Sequence, residues 1–115
     1  MRRQRNKQPD PIKYIKLRSL YGDKCCYCAG LMCFDVNQYN MNDPYIRSLE
    51  HIIDYIHKKT NCDKYENLLL SHRQCNSIVG ARRFTLEQKE YYIENPHKFI
   101  EDCLNGVQIN YKVKK

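Results

Sequence analysis

Two short pairs of metal-binding side chains constrain this chain more than any other feature: Cys25-x-x-Cys28 and, beyond residues 29–71, His72-x-x-Cys75. A two-residue gap lets both donors of a pair reach one ion, and two such pairs make the four-ligand tetrahedral set that zinc takes. The fold must therefore return the chain near residue 72 to the turn at residue 25. The intervening stretch is much longer than a common zinc-finger spacing, so an inserted hairpin has to bring the ends together. Cys26 competes with Cys25, but with one residue before Cys28 it makes a poorer chelate. Cys33, Cys62 and Cys103 lack partner spacing and read as packing thiols, and His57 as a loop histidine rather than part of a second metal site.

Composition makes the metal more important. Of 115 residues 42% are hydrophobic, but that share includes ten tyrosines and seven cysteines, so the aliphatic core is thin. A small domain with a thin core commonly gains stability from a structural metal. The odd cysteine count and the polar, basic start Met1-Arg2-Arg3-Gln4-Arg5 lack the marks of a secreted disulfide scaffold, and disulfides are the weaker reading. No stretch approaches the roughly 20 apolar residues of a membrane span. The expectation is a cytoplasmic or otherwise intracellular, non-secreted protein. The net charge of +7, clustered at Arg2, Arg3, Arg5 and Lys7, at Arg73, Arg82 and Arg83, and at Lys112, Lys114 and Lys115, favours phosphate backbones as partners. Solvated surface charge accounts for any single one of these residues equally well.

The segments read as a single α+β domain over 10–106, with a disordered basic arm at 1–9 and a basic tail at 107–115. Asp10-Pro11 supplies a helix cap and first turn, Ile12, Ile15, Leu17, Leu20 and Tyr21 an apolar face, and Gly22 a stop, predicting a helix over 11–21. Gly30 suits a tight knuckle after the first cysteine pair. Residues 31–45 read as an irregular insertion, Tyr45–Ile53 as a strand, 54–66 as a long polar loop, and Leu68–Leu70 as the antiparallel partner strand. A short helix follows over Gln74–Val79. Thr85-x-x-Gln88 is a capping box opening a helix to about Glu94, and Pro96 opens another through Leu104 with Gly106 as its stop. Val107–Val113 fits an edge strand.

Between and beside the metal pairs stand polar residues of another kind: Glu50-His51, Asn67 and Asn76. In order, Leu49-Glu50-His51-Ile52-Ile53, Asn67-Leu68-Leu69-Leu70-Ser71-His72, Cys75-Asn76 and Gly80 resemble the HNH endonuclease family. The resemblance covers 25–80 and implies a zinc-stabilised ββα-metal core flanked by N- and C-terminal helices. It implies His51 as the general base that activates water, Asn67 as the residue holding that histidine and its loop, and Asn76 with Glu50 as ligands of a catalytic Mg²⁺ or Mn²⁺. It also implies structural Zn²⁺ on Cys25, Cys28, His72 and Cys75, and cleavage of DNA to a 3′-hydroxyl and a 5′-phosphate. Members usually carry cysteine where this chain has His72, and many carry aspartate where it has the longer Glu50.

The chemistry suits those residue types. Imidazole takes a proton near neutral pH, and hard divalent cations choose oxygen donors while zinc takes thiolate and imidazole. Arg73, Arg82 and Arg83 are the residues expected on backbone phosphates. A pleated strand sends Glu50 and His51 to opposite faces, so both serve one site only where the strand ends or bends. The other class of function is a zinc-stabilised DNA-binding module without cleavage, and the chain is small enough to act within a larger nucleic-acid-processing complex.

Overall fold

The computed structural model describes residues 11–52 and 67–112. The expected basic arm at 1–9, the Asp10 cap, and the loop over 54–66 with His57 and Cys62 lie outside the described residues. Within them the order is α1 (Pro11–Tyr21), β1 (Arg47–His51), β2 (Leu68–His72), α2 (Arg73–Ala81), α3 (Leu86–Glu94) and α4 (Pro96–Cys103), a small α+β arrangement. None of the described helices is long and apolar enough to cross a membrane.

α1 ends as expected, with Gly22 at φ 82° donating its N–H to the Arg18 carbonyl at 2.8 Å. Its buried face differs from the expected one. Tyr14 and Leu17 enter the core, while Ile12, Ile15 and Leu20 are more than half exposed. The reason lies across the helix: the Arg47 guanidinium covers the Tyr14 ring at 3.7 Å and Arg18 lies over Phe34 at 4.3 Å, so these contacts fix the rotation of a helix with little amphipathic bias of its own.

The hairpin is antiparallel, with Arg47 opposite His72, Leu49 opposite Leu70 and His51 opposite Leu68. Ile52 N–H donates to the Asn67 carbonyl at 3.0 Å and Arg73 N–H to the Ile46 carbonyl at 2.7 Å, so bonds at both ends bracket the ladder. Backbone groups of 46, 48, 50 and 52 therefore face β2, and those of 47, 49 and 51 turn outward. Residues 31–46 carry isolated pairings, Lys24 with Leu31 and Cys33 with Ile46, rather than a strand.

α2 begins directly after His72 and runs two residues past the expected Val79. It stops in a Schellman arrangement, with Arg83 N–H on the Gly80 carbonyl and Phe84 N–H on the Val79 carbonyl, both at 3.2 Å. Arg83 holds the left-handed position at φ 53°, where glycine is the usual occupant, which hid this stop from the sequence. α3 opens on the expected capping box: Gln88 N–H donates to Thr85 Oγ1 at 3.1 Å and Thr85 N–H to Gln88 Oε1 at 2.8 Å.

α3 and α4 close the core through rings, with Phe99 stacked on Tyr27 at 5.1 Å and Tyr92 edge-on to Phe99 at 5.5 Å. The expected edge strand over 107–113 does not form in its described part, 107–112, which instead crosses the knuckle without regular structure. Tyr111 N–H reaches the Leu31 carbonyl at 2.9 Å, Leu31 N–H reaches Asn110 Oδ1 at 2.7 Å, and Gln108 Nε2 donates to the Cys28 carbonyl at 2.8 Å.

Candidate metal centre and the motif at the end of β1

The two cysteine and histidine pairs meet. The donor atoms of Cys25, Cys28, His72 and Cys75 all lie within 4.8 Å of one another, and all four residues are buried. His72 Nδ1 is 3.2 Å from Cys28 Sγ and 3.8 Å from Cys75 Sγ. Tetrahedral zinc with bonds of about 2.0–2.3 Å puts its ligands about 3.5–3.8 Å apart, so the cluster is of the right size.

The surroundings also fit a metal. His72 Nε2 is 2.7 Å from the Leu31 carbonyl, an anchor that places the ring proton on Nε2 and leaves Nδ1 for an ion. Tyr27 N–H points at Cys25 Sγ and Gly30 N–H at Cys28 Sγ, each at 3.4 Å, the donation that steadies thiolates in a knuckle. Burial opposes charge on Cys25, but hydrogen bonds from Cys26, Cys28, Cys75 and His72 outweigh it and hold this thiol well below its ordinary pKa. Burial likewise opposes charge on His72, and its bonds to Cys25 and Cys28 override this, raising it to about 10. Cys26 lies outside the set: its N–H pairs with the Leu70 carbonyl at 2.9 Å, and burial pushes its thiol well up.

The knuckle turns at Ala29, with φ 61°, rather than at Gly30. Gly30 is needed for space, since a Cβ there would stand 1.8 Å from the Ile109 carbonyl oxygen.

The second group of motif residues is distributed along β1, with His51 and Asn67 at its exit and Asn76 against its middle. Asn67 precedes β2 and pairs its carbonyl with Ile52. Asn76, in the first turn and a half of α2, donates through Nδ2 to the outward Leu49 carbonyl at 2.7 Å and to Ser48 Oγ at 2.8 Å. His51 is half-buried at the last position of β1, and Ile52 already bends. Glu50 turns inward: it is 3% exposed, accepts the Tyr27 hydroxyl hydrogen bond and stands 3.9 Å from the buried Lys89 ammonium. Magnesium and manganese sites keep several waters, and a carboxylate so enclosed and already engaged does not fit one.

Arg73, Arg82 and Arg83 are exposed, but α2 separates the first from the other two by its own length, and Arg82 Nη1 also reaches Cys103 Sγ at 3.5 Å. The sequence reading missed Lys89 and Tyr27. Nothing marks a lysine on a polar helix as buried, though an aromatic inside a metal knuckle is a sign of core packing. No family model, curated protein or solved structure matches the chain.

Proposed function

We propose that this domain is a DNA endonuclease of the HNH type, built on a zinc-stapled ββα-metal core. The observation that carries the reading is that His51 and Asn67 meet at the exit of β1 while Asn76 docks α2 on the same strand at Ser48 and Leu49, beside a cluster that ties the knuckle to the junction of β2 and α2. In this reading Zn²⁺ on Cys25, Cys28, His72 and Cys75 is structural. His51, half-buried at the strand exit, takes the proton from the attacking water. Asn67 keeps the start of β2 in register with the bend at Ile52, and Asn76 fixes α2 to Leu49, so the histidine is held by backbone on two sides. Arg73, Arg82 and Arg83 neutralise backbone phosphates.

The resemblance implies a divalent Mg²⁺ or Mn²⁺ on Glu50 and Asn76, which when bound would supply charge stabilisation at the scissile phosphate. Glu50 reaches such an ion only by leaving Tyr27 and Lys89. That engagement favours a second reading, a zinc-stabilised DNA-binding module without cleavage.

Plasmid cleavage in Mg²⁺, Mn²⁺ or EDTA, run beside DNA binding, separates the two. Expected for the endonuclease is metal-dependent nicking or cutting by the wild type, with His51→Ala slower by ~10²–10⁴-fold at unchanged zinc content and DNA affinity. Wild-type protein that binds DNA and does not cut establishes the module reading. Equal single-turnover rates for wild type and His51→Ala remove His51 from the chemistry.

A further inference from the structure

A buried lysine is the least expected feature of the site. Lys89 lies on α3, far along the chain from the motif, and is 2% exposed. Its ammonium donates to the His51 carbonyl at 2.8 Å and to the Ile52 carbonyl at 3.2 Å, and stands 3.9 Å from Glu50 Oε2.

The two carbonyls carry the argument. Along a pleated strand consecutive carbonyls point in opposite directions. The His51 carbonyl turns outward from the ladder, and the Ile52 carbonyl in a continued strand points back toward β2. Here both converge on one nitrogen, so the backbone has turned between them, and the ammonium sits inside the turn. The last ladder bond, Ile52 N–H to Asn67, holds the other side of the same residue. Enclosing a lysine is unfavourable unless its charge is matched and its N–H groups are satisfied, and Glu50 with the two carbonyls does both. An apolar residue of like volume at this point of α3 fills the space without that cost but cannot fix a bend.

We propose that Lys89 is a positioning residue: it pins the bend after β1, and through the His51 and Ile52 carbonyls it sets the orientation from which His51 acts. The proposal rests on the endonuclease reading for its kinetic consequence and not for its structural one. Lys89 touches no substrate; its partner is the backbone that carries the base. Glu50, in turn, is the counter-ion of this pin.

The test uses the full, zinc-loaded chain and three variants: Lys89→Met, Lys89→Arg, and Lys98→Met as a control at a partly exposed lysine on α4 paired with Glu101. Two readouts are taken below each variant's unfolding transition. NMR follows the His51 ring resonances and the amides of 51 and 52. Cleavage kinetics separate kcat from KM. Lys89→Met is expected to move the 51–52 amide and His51 ring signals and to lower kcat by about 10–100-fold with KM nearly unchanged, as for a catalytic group displaced by about an ångström. Lys89→Arg keeps the charge, and folded with its fork shifted it is expected to recover part of the loss. If Lys89→Met does not fold, the Arg variant carries the same two readouts. Signals at 51 and 52 that match the control overturn the proposal, as does a variant that is less stable but has wild-type kcat per folded molecule. A wild type that does not cut refutes the endonuclease reading, while the NMR arm still decides whether Lys89 pins the bend.

Discussion

Replacing Gly30 with alanine tests the packing of the C-terminal segment on the metal knuckle. The added Cβ would lie 1.8 Å from the Ile109 carbonyl oxygen and 2.9 Å from its carbon, both backbone atoms that no side-chain rotation can move aside. Segment 107–112 must then lift, with loss of the Gln108, Asn110 and Tyr111 bonds to residues 28 and 31. At about 0.5–1.5 kcal/mol for each of these bonds, with water replacing part of every one on this half-exposed surface, the loss is about 2–3 kcal/mol. Alanine returns roughly 0.4–1 kcal/mol by stiffening the unfolded chain, leaving a net destabilisation of about 2 kcal/mol. For a domain of this size that lowers Tm by on the order of 10 °C. Thermal unfolding at saturating zinc reads the shift, and limited proteolysis should show cleavage appearing within 107–112. The decisive comparison adds Gly30→Ala to a chain ending at Gly106, where it should be neutral or mildly stabilising. A full-length variant with wild-type Tm, or an equal loss in both backgrounds, refutes the packing argument.

Other consequences follow from the same geometry. Purified protein is expected to hold about one zinc per chain by elemental analysis, and Cys75→Ser to release it and unfold, since ligand loss removes folding free energy; well-folded, zinc-free wild type refutes the metal centre. Zinc affinity should rise with pH and binding should release protons, because the cysteine ligands bind as thiolates and His72 as a neutral imidazole. The metal-free protein behaves oppositely. His72 is raised to about 10, so its pairing contributes fully below about 6.5 and is lost as pH climbs through that higher value. Calorimetric zinc titrations in buffers of differing ionisation enthalpy count the protons, and none released contradicts zinc binding by these four donors. Removing two charges with Arg82→Gln and Arg83→Gly, the second also easing the left-handed α2 cap, should flatten the log–log salt dependence of duplex DNA binding by ~0.9 for each phosphate no longer neutralised. An unchanged slope assigns both to the solvated surface.

Local signals were legible in the sequence where one residue carries its own geometry. Thr85 and Gln88 announced the α3 cap, Pro96 the start of α4, and Gly22 the end of α1, because each acts through bonds to its immediate neighbours. The four donors of the metal cluster were readable from paired spacing alone, and the structure brings all four together. What failed to show depends on partners distant in the chain. The rotation of α1 is set by Arg47 from β1, and segment 107–112 is held by the side chains of 108 and 110 and a single backbone bond from Tyr111 rather than by a ladder. Glu50 shows the same limit: spacing placed it beside His51, but its environment comes from Tyr27 in the knuckle and Lys89 on α3. The arginine at the left-handed cap of α2 disguised a stop that glycine would have announced.

These distant ties share a physical cause. β1 and β2 are five residues each and form a two-stranded ladder, too little to be stable in water alone. Leu68 and Leu70 bury one face of β2, but among the described residues β1 is an edge strand, and its outward carbonyls at Leu49 and His51 must find donors from elsewhere. Asn76 supplies one from α2 and Lys89 the other from α3. The four-donor cluster, closing over His72 at the far end of β2, fixes the hairpin at that end. The hairpin is thus held at one end by the four-donor cluster and at the other by a lysine, with His51 and Asn67 at the lysine end and Asn76 against the middle of β1. Loss of zinc and loss of the Lys89 ammonium should therefore produce different defects. The first removes the fold, while the second leaves the fold and disturbs the geometry at His51.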